Sequence, residues 1–279
     1  VTMAHFQMAL EEIKPSFGVD EDEIKAFCRG DIIQYSPEFS AIVDKIKHLI
    51  QSLHADPTRS QATVLLQGSP GSGKTTLAAK LALESGFPFA KLVAPQNYIG
   101  LSETGKAAEI SSVFDQAYKS PLSVILIDNI ETLLEYVPIG PRFSNVMLQT
   151  FLTLLNRPHP KPGRKLLVLA TTSQFTVLRQ MQMRSAFDFI VEVPRLTMEA
   201  DIKRVLLSAG VPECPVLDEI VRYDIPAVGI KQLLLVVKMA MNGVSTVDRE
   251  AFREWLIDCG VGLKSAGSGN ANAVEDFEY

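Results

Sequence analysis

The chain has 279 residues, of which 47% are apolar and 21% are charged, and its formal net charge is -5. This length predicts one large domain or two small ones. No stretch approaches the roughly 18 uninterrupted apolar residues of a membrane span, and the sequence lacks the basic stripe that nucleic-acid binding normally requires. We therefore expect neither membrane insertion nor a nucleic-acid partner.

The three cysteines, Cys28, Cys214 and Cys259, are widely spaced in the sequence. They form no CxxC pair and no cluster with histidine that would indicate a zinc site. Reduced thiols fit this pattern best, which predicts a cytoplasmic protein.

The first 60 residues contain two helical patterns. Apolar residues between positions 3 and 13 recur at helical spacing until a proline and a glycine interrupt them, which predicts a short helix and a linker over 1–17. Ser36-Pro37 then predicts the start of a second helix, whose apolar stripe continues to Leu53.

Five short apolar runs follow, alternating with helical patterns. Strands that are apolar on both faces and separated by helices indicate a parallel sheet covered on both sides. The runs are ATVLLQ (62–67), PFAKLVA (88–94), LSVILID (122–128), KLLVLATTS (165–173) and FIVEV (189–193). The predicted fold class is α/β, with a parallel five-stranded sheet between helices in a domain over 18–197.

The remainder of the chain predicts a second, smaller unit. Helical stripes recur through residues 198–263 without a strand pattern, which predicts a small all-helical domain. Residues 264–279 are small and polar, with too few apolar groups to offset the entropy of ordering. We therefore expect a disordered tail there.

The stretch GSPGSGKTT at 68–76 matches G-x-x-x-x-G-K-[ST] between a predicted strand and a predicted helix, the context that this phosphate-binding motif requires. Its glycines let successive backbone N–H groups point at phosphate oxygens, and the helix start adds positive charge. Lys74 is predicted to reach the β and γ phosphates, and Thr75 to offer its hydroxyl to Mg²⁺. The predicted ATP-binding residues here are Pro70, Gly71, Ser72, Gly73, Lys74, Thr75, Thr76 and Leu77.

A second half of the site is predicted at the end of the strand VILID. Asp128 is predicted to hold Mg²⁺ with Thr75, because a carboxylate beside a phosphate loop can bind the metal through water. The next residue is Asn129, whose amide can orient water but accepts no proton. Losing a general base costs roughly 10² to 10⁴ in rate, so the sequence predicts ATP binding with slow hydrolysis. Alternatively, Glu131 or Glu135 supplies the base, although a carboxylate further along the helix is expected to approach from the wrong direction.

Together, these elements resemble an AAA domain, and four further stretches resemble one branch of that family. They are KPSFG (14–18), GFPFAKL (86–92), DQAYKSPL (115–122) and EYVPIGPRFSNVMLQ (135–149). These stretches are similar to the second AAA domain of the N-ethylmaleimide-sensitive factor family of vesicle-fusion ATPases. The resemblance implies an AAA P-loop NTPase with a helical lid over 198–263, ATP and Mg²⁺ as cofactors, slow hydrolysis and a homo-hexamer.

The same resemblance implies a place in the cell. In that family the full-length hexamer disassembles SNARE complexes, with SNAP proteins as adaptors, during vesicle fusion and ER-Golgi transport. It does so in the cytoplasm, peripheral to vesicle and Golgi membranes. Residues 1–17 would then be the end of a preceding domain and its linker.

The family's functional positions carry over unevenly. GDIIQY at 30–35 lies where the family has its adenine-binding segment, which assigns Gly30, Asp31, Ile32, Ile33, Gln34 and Tyr35 to the nucleotide. Lys231 lies where the family has its sensor-2 residue, so it is expected to reach the phosphates. Ser173 lies where AAA motors commonly have a sensor asparagine. The expected catalytic set is Lys74, Asp128, Asn129 and Ser173.

Two further positions distinguish a motor, which hydrolyses ATP to move polypeptide, from a clamp, by which we mean a domain that binds ATP to hold the ring together and hydrolyses it slowly. The usual pair of arginine fingers is reduced to Arg184, so we expect that the contribution from a neighbouring subunit is missing. Tyr98 lies where AAA translocases present an aromatic pore loop, which leaves contact with polypeptide open. The alternatives to the slow clamp are therefore a fully active motor that translocates polypeptide and a DNA-handling ATPase, which the acidic balance disfavours.

Overall fold

The structure, a computed structural model, describes residues 21–28, 32–56, 58–140, 142–158, 163–241 and 248–263. The segment over 1–17 and the tail over 264–279 lie outside the described residues. None of the helices described in those ranges is both long and apolar enough to cross a membrane.

A five-stranded sheet forms the centre of the larger part of the chain. Its strands are Gln61–Gln67 (β1), Phe89–Val93 (β2), Leu122–Ile127 (β3), Lys165–Thr172 (β4) and Phe189–Glu192 (β5). Their order is β2-β3-β4-β1-β5, and every neighbouring pair is parallel. All eight residues of the central strand β4 are buried, as the continuous apolar run predicts. The predicted α/β class with a parallel five-stranded sheet is confirmed.

Helices cover both faces of the sheet. Val64 and Leu66 of β1 belong to one buried apolar cluster, which we call the main cluster. Leu65 between them belongs to a second cluster, because alternate residues of a strand point to opposite faces. The helices before residue 199 are Glu21–Phe27 (α1), Pro37–Ala55 (α2), Lys74–Glu84 (α3), Glu103–Ala117 (α4), Ile130–Leu133 (α5), Asn145–Asn156 (α6) and Phe175–Gln180 (α7), with 3-10 turns at Pro95–Tyr98 and Met183–Ala186.

The long helix α2 begins and packs as its sequence dictates. The Ser36 hydroxyl accepts a hydrogen bond from the backbone N–H of Phe39 at 3.0 Å, and a proline occupies the first turn, both of which favour a helix start. Its buried residues are Phe39, Val43, Ile46, Ile50 and Leu53.

Parallel pairing brings the carboxyl ends of three strands to one edge of the sheet. Gln67 at the end of β1 pairs with Thr172 at the end of β4, and Ile127 at the end of β3 pairs with Ala170. The segments that follow these strands therefore meet at this edge, which is where open α/β sheets bind ligands.

The described residues after 198 are helical and pack on the same core as the sheet. Their helices are Glu199–Ser208 (α8), Pro215–Glu219 (α9), Ile230–Ala240 (α10) and Arg249–Asp258 (α11), with one π turn at Ile220–Asp224. Leu233 of α10 and Phe252 of α11 share a buried cluster with Ala62 and Leu66 of β1. We call the residues from Glu199 onward the lid.

Candidate functional site

The loop between β1 and α3 has a backbone shape that requires glycine. Gly71 and Gly73 have φ angles of 79° and 94°, a region that other residues rarely adopt. A Cβ on Gly68 would lie only 2.4 Å from the carbonyl oxygen of Val193, so this loop also lies tightly against the chain that leaves β5. Because α3 begins at Lys74, its free N–H groups and positive end face the loop.

Lys74 is buried inside this loop. The residue is only 5% exposed. Its ammonium donates to the carbonyl oxygens of Gly68 at 2.8 Å and Ser69 at 2.9 Å. Burial lowers the pKa of the Lys74 ammonium, while the carboxylate of Glu131, and to a lesser degree that of Asp128, opposes the shift. The Ser72 hydroxyl is also buried, without a partner in the described part of the chain. A buried ammonium and an unpaired hydroxyl in one glycine-rich loop fit an anionic phosphate.

Thr75 and Asp128 form the second part of the site. The Thr75 hydroxyl donates to Asp128 Oδ1 at 2.6 Å, and the Thr171 hydroxyl donates to the same oxygen at 2.8 Å. Hydroxyl and carboxylate oxygens suit Mg²⁺, which takes few protein ligands when phosphates and water complete its shell. No group of three or more His, Cys, Asp or Glu residues that could hold a metal occurs among the described residues. The donor set therefore fits a cation bound mainly through a nucleotide.

Asn129 has a left-handed backbone, with φ 48° and ψ 61°, which asparagine tolerates better than most residues. Its side-chain amide donates to Asp128 Oδ2 at 3.0 Å, and its backbone N–H donates to the Thr171 hydroxyl at 2.9 Å. The residue after Asp128 is thus directed at the neighbouring carboxylate. It supports that carboxylate and carries no basic group of its own.

The two glutamates that follow Asn129 point to different places. Glu135 accepts a hydrogen bond from the Lys106 ammonium at 2.6 Å, and so belongs to an ion pair with α4. Glu131 is 9% exposed, and its Oε1 accepts the backbone N–H of Ser173 at 2.8 Å. Glu131 lies on the helix that begins after the left-handed Asn129, and through this bond it contacts the backbone that follows β4. Ser173 reaches the site through its backbone, and its side chain is half-buried.

The segment assigned to adenine is described only in part, since Gly30 and Asp31 lie outside the described residues. Ile32 and Ile33 are half-buried and pack against the main apolar cluster, whereas Gln34 is exposed. Tyr35 is buried, at 3% exposure, and stacks on Phe39 with ring centroids 4.6 Å apart. Its ring therefore serves the core of the domain.

The other residues of the phosphate motif are divided between the ligand edge and the core. Thr76 donates its hydroxyl to the carbonyl oxygen of Phe27 at 3.3 Å, which ties α3 to α1. Leu77 is buried in the main cluster, and Pro70 is exposed at the tip of the loop. Only the segment from Gly71 to Thr75 therefore combines backbone N–H groups, the ammonium and the hydroxyl at one place.

The lid contacts the phosphate loop through its backbone. The Lys231 N–H donates to the carbonyl oxygen of Gly71 at 3.0 Å, while the Lys231 side chain is exposed. A Cβ on Gly229 would lie 2.9 Å from the backbone carbon and oxygen of Gly71, so the contact depends on glycine at this position.

Sequence reasoning missed two residues beside this loop. A Cβ on Gly71 would lie 3.8 Å from the Gln232 side chain, and Arg195 donates from Nε to the Ser69 hydroxyl at 2.7 Å. A glutamine on a helix gives no signal in the sequence. The arginine could have been noticed, because it lies three residues after the end of the last strand, at the ligand edge.

The two positions that bear on motor activity lie at the surface and in the core, respectively. Arg184 is exposed in the 3-10 turn before β5. Tyr98 is only 6% exposed and belongs to the second apolar cluster, while its neighbour Ile99 is 81% exposed. The aromatic ring expected in a pore loop is therefore turned into the core, because the 3-10 turn ends at Tyr98 and directs the following residue outward.

Comparison with known proteins agrees with this geometry. Residues 64–195 match the model of the ATPase family associated with various cellular activities (AAA). The chain contains an AAA domain. The chain is 37% identical over 235 residues to the vesicle-fusing ATPase of Dictyostelium discoideum, an alignment that covers 84% of this chain and 32% of that protein. It is also 39% identical over 210 residues to the vesicular-fusion protein SEC18 of Saccharomyces cerevisiae, covering 75% and 28% of the two chains.

A plant relative gives the same result. The vesicle-fusing ATPase of Arabidopsis thaliana is 37% identical over 253 residues, or 90% of this chain and 33% of that protein. The predicted resemblance to the vesicle-fusion ATPases is confirmed. The AAA domain of this chain is therefore a nucleotide-binding domain of the ATPase type. The chain spans about a third of the length of these relatives.

Proposed function

We propose that this AAA domain binds ATP in order to drive and maintain the hexamerisation of a vesicle-fusion ATPase, and that it hydrolyses ATP slowly. One observation carries the proposal. Lys74, Thr75 and Asp128, which would hold phosphate and metal, meet at the sheet edge, whereas the residue after Asp128 is a neutral amide bound to Asp128 Oδ2. A site of this composition retains binding and lacks the usual base.

Each part of the site has a distinct task in binding. The backbone N–H groups of the loop and the start of α3 receive the phosphates, and Lys74 neutralises their charge. Thr75 and Asp128 would hold Mg²⁺, which supplies charge neutralisation between the phosphate oxygens when bound. In this proposal Ser173 would hydrogen-bond the γ-phosphate or its water, and Lys231 would couple the lid to the phosphates. Residues 30–35 are the proposed adenine segment.

ATP binding favours assembly by mass action. If ATP binds only the assembled form, it stabilises that form by about 4 kcal/mol when its concentration exceeds Kd a thousandfold. We propose a homo-hexamer, part of a longer cytoplasmic protein that is peripheral to vesicle and Golgi membranes. Through the full-length protein, SNAP adaptors and SNARE complexes would be its partners.

Two paired measurements test this proposal. Light scattering of the chain should give a hexamer in saturating ATP and Mg²⁺ and smaller species after both are removed. Turnover of ATP by the same preparation should be far below about 1 s⁻¹, the lower end of typical enzyme rates. A monomer in saturating ATP and Mg²⁺ contradicts the assembly role, and fast turnover contradicts the clamp.

A motor that grips polypeptide is the second candidate, and one observation favours it. Ile99 is 81% exposed and Leu101 is 42% exposed, so the segment after Tyr98 offers apolar surface. An unfolded polypeptide should then accelerate ATP turnover in the wild type and fail to do so in Ile99→Ser. Equal turnover with and without polypeptide contradicts the motor.

A further inference from the structure

Glu131 is a buried carboxylate with one oxygen that has no partner. Its Oε1 accepts the Ser173 N–H at 2.8 Å, and its Oε2 accepts no hydrogen bond from any residue that the structure describes. Leaving a buried charged acceptor unpaired costs free energy. Such groups are rare in folded proteins and call for an explanation of their own.

Two neighbours place this carboxylate at the phosphate site. Ser173 directly follows β4, and Asp128 directly follows the neighbouring strand β3, so Oε1 is fixed at the ligand edge of the sheet. Of the two carboxylates that act on the Lys74 ammonium, Glu131 has the larger electrostatic effect. The unpaired oxygen therefore lies in the same buried, charged environment as the lysine of the phosphate loop.

The other groups that could receive a proton are accounted for. The Asn129 amide is neutral and donates to Asp128. Asp128 already accepts hydrogen bonds at both oxygens, from Thr75 and Thr171 at Oδ1 and from Asn129 at Oδ2. Glu135 is in an ion pair with Lys106 at 2.6 Å. Among the carboxylates that the structure describes between Asp128 and Glu135, Glu131 has the buried oxygen without a hydrogen-bond partner.

We propose that Glu131 is the carboxylate that activates water for the slow ATP hydrolysis of this domain. The inference rests on the proposed function and deepens it. In the step, the water oxygen bonds to the γ-phosphorus, the bond from that phosphorus to the β–γ bridging oxygen breaks, and the electron pair leaves with ADP. The proton of the water passes to Oε2, while the Ser173 N–H holds Oε1 and fixes the orientation of the carboxylate.

The test compares Glu131→Gln with Glu135→Gln in the full chain. Glutamine keeps an acceptor for the Ser173 N–H but removes the base. We expect single-turnover hydrolysis of labelled ATP to fall about a hundredfold in Glu131→Gln, within the usual range for a general base, and to stay within about threefold in Glu135→Gln. Glu131→Asp, which withdraws the carboxylate by one methylene, should lose a similar factor.

A second readout is independent of turnover. Both glutamine variants should bind a fluorescent ATP analogue with a Kd within about threefold of the wild type, and Glu131→Gln should keep its unfolding midpoint, because glutamine has nearly the same shape and still accepts the Ser173 N–H. Binding of ADP with aluminium fluoride, a mimic of the transition state, should weaken in Glu131→Gln alone.

The outcomes separate the inference from the proposed function. Turnover of Glu131→Gln within threefold of the wild type overturns the inference, as does an equal loss in Glu135→Gln or a wild type with no detectable hydrolysis. None of these results affects hexamer formation in ATP, which tests the clamp by itself. If the wild type is monomeric in ATP and turnover falls only in Glu131→Gln, the assembly role is contradicted and the role of Glu131 as the base is supported.

Discussion

The ammonium of Lys74 is a buried charge at the ligand edge. It is buried, its pKa is lowered by that burial, and it donates to two carbonyl oxygens of its own loop. A phosphate that replaces those carbonyls offers charged acceptors, which form stronger hydrogen bonds. The affinity for ATP should therefore depend strongly on this one side chain.

Lys74→Ala tests that dependence. Charge-assisted hydrogen bonds contribute about 1.5 to 3 kcal/mol each, so ATP affinity should fall about tenfold to a hundredfold, and the hexamer should be lost at the same ATP concentration. Lys80→Ala is the matched control, because Lys80 lies on the same helix and pairs with Glu84 at 3.9 Å. Calorimetric titration measures both. A hexamer that stays intact in Lys74→Ala despite weaker ATP binding would contradict the proposal that bound ATP drives assembly.

Tyr35 gives a prediction for pH dependence. Burial, and secondarily the charge of Asp201, raises the pKa of Tyr35 from 10.0 to about 12. Because the fold favours the neutral phenol, its contribution to stability is complete below pH 10 and is lost as the pH rises from 10 to 12. At pH 11 the unfolding free energy of the wild type should have lost about 1 kcal/mol more than that of Tyr35→Phe. Urea unfolding from pH 9 to 11 measures this, and parallel curves for the two proteins would contradict it.

At the scale of single residues, sequence patterns predicted the types of group at the site better than their directions. Lys74, Thr75 and Asp128 meet because the phosphate loop follows β1 and Asp128 follows β3, and these two strands lie on either side of β4 in one parallel sheet. The contact between the Ser173 N–H and Glu131 was not predicted, because α5 begins after a residue with a left-handed φ, Asn129. No periodicity in the sequence encodes a single reversed dihedral angle.

At the scale of elements, the strands were predictable and the docking of the lid was not. A strand buried on both faces is a continuous apolar run, and β1 and β4 are clear examples. The lid approaches the phosphate loop through Gly229 and the Lys231 N–H. A contact made by backbone atoms leaves no side-chain pattern to read.

Gly229→Ala should disturb this docking directly. Its Cβ would lie 2.9 Å from backbone atoms of Gly71, which cannot rotate away as a side chain can. We expect the Lys231 N–H bond to lengthen and ATP affinity to fall about tenfold, the equivalent of one hydrogen bond. In the control Gly105→Ala, the Cβ would meet side-chain atoms at 3.3 Å and 3.6 Å, so affinity should be unchanged. Equal affinities in the two variants would show that lid position does not control binding.

At the scale of the whole molecule, the sheet and the lid share one apolar cluster. Ala62 and Leu66 of the sheet and Leu233 and Phe252 of the lid all belong to it. Elements that bury apolar surface against each other lose it together on unfolding. We therefore expect the lid and the sheet to unfold in one transition.

Phe252→Ala tests this coupling from the far end of the lid. The residue is 1% exposed, so its truncation should lower the unfolding free energy by about 3 to 5 kcal/mol and shift the whole transition. Ile257→Ala on the same helix removes a side chain that is 56% exposed, and its effect should stay within about 0.5 kcal/mol. Circular dichroism measures the unfolding of the helices and the sheet in one signal. A separate early transition in Phe252→Ala would contradict the expectation, because the lid would then unfold before the sheet.

The backbone contact between the lid and the phosphate loop has a consequence for how this domain can change during evolution. The bond from the Lys231 N–H to Gly71 is available to any residue except proline, while the Lys231 side chain remains exposed. The attachment of the lid and the chemistry that it presents to the nucleotide are therefore separable traits. Substitutions at position 231 can retune one of them and leave the other in place, as long as position 229 stays glycine.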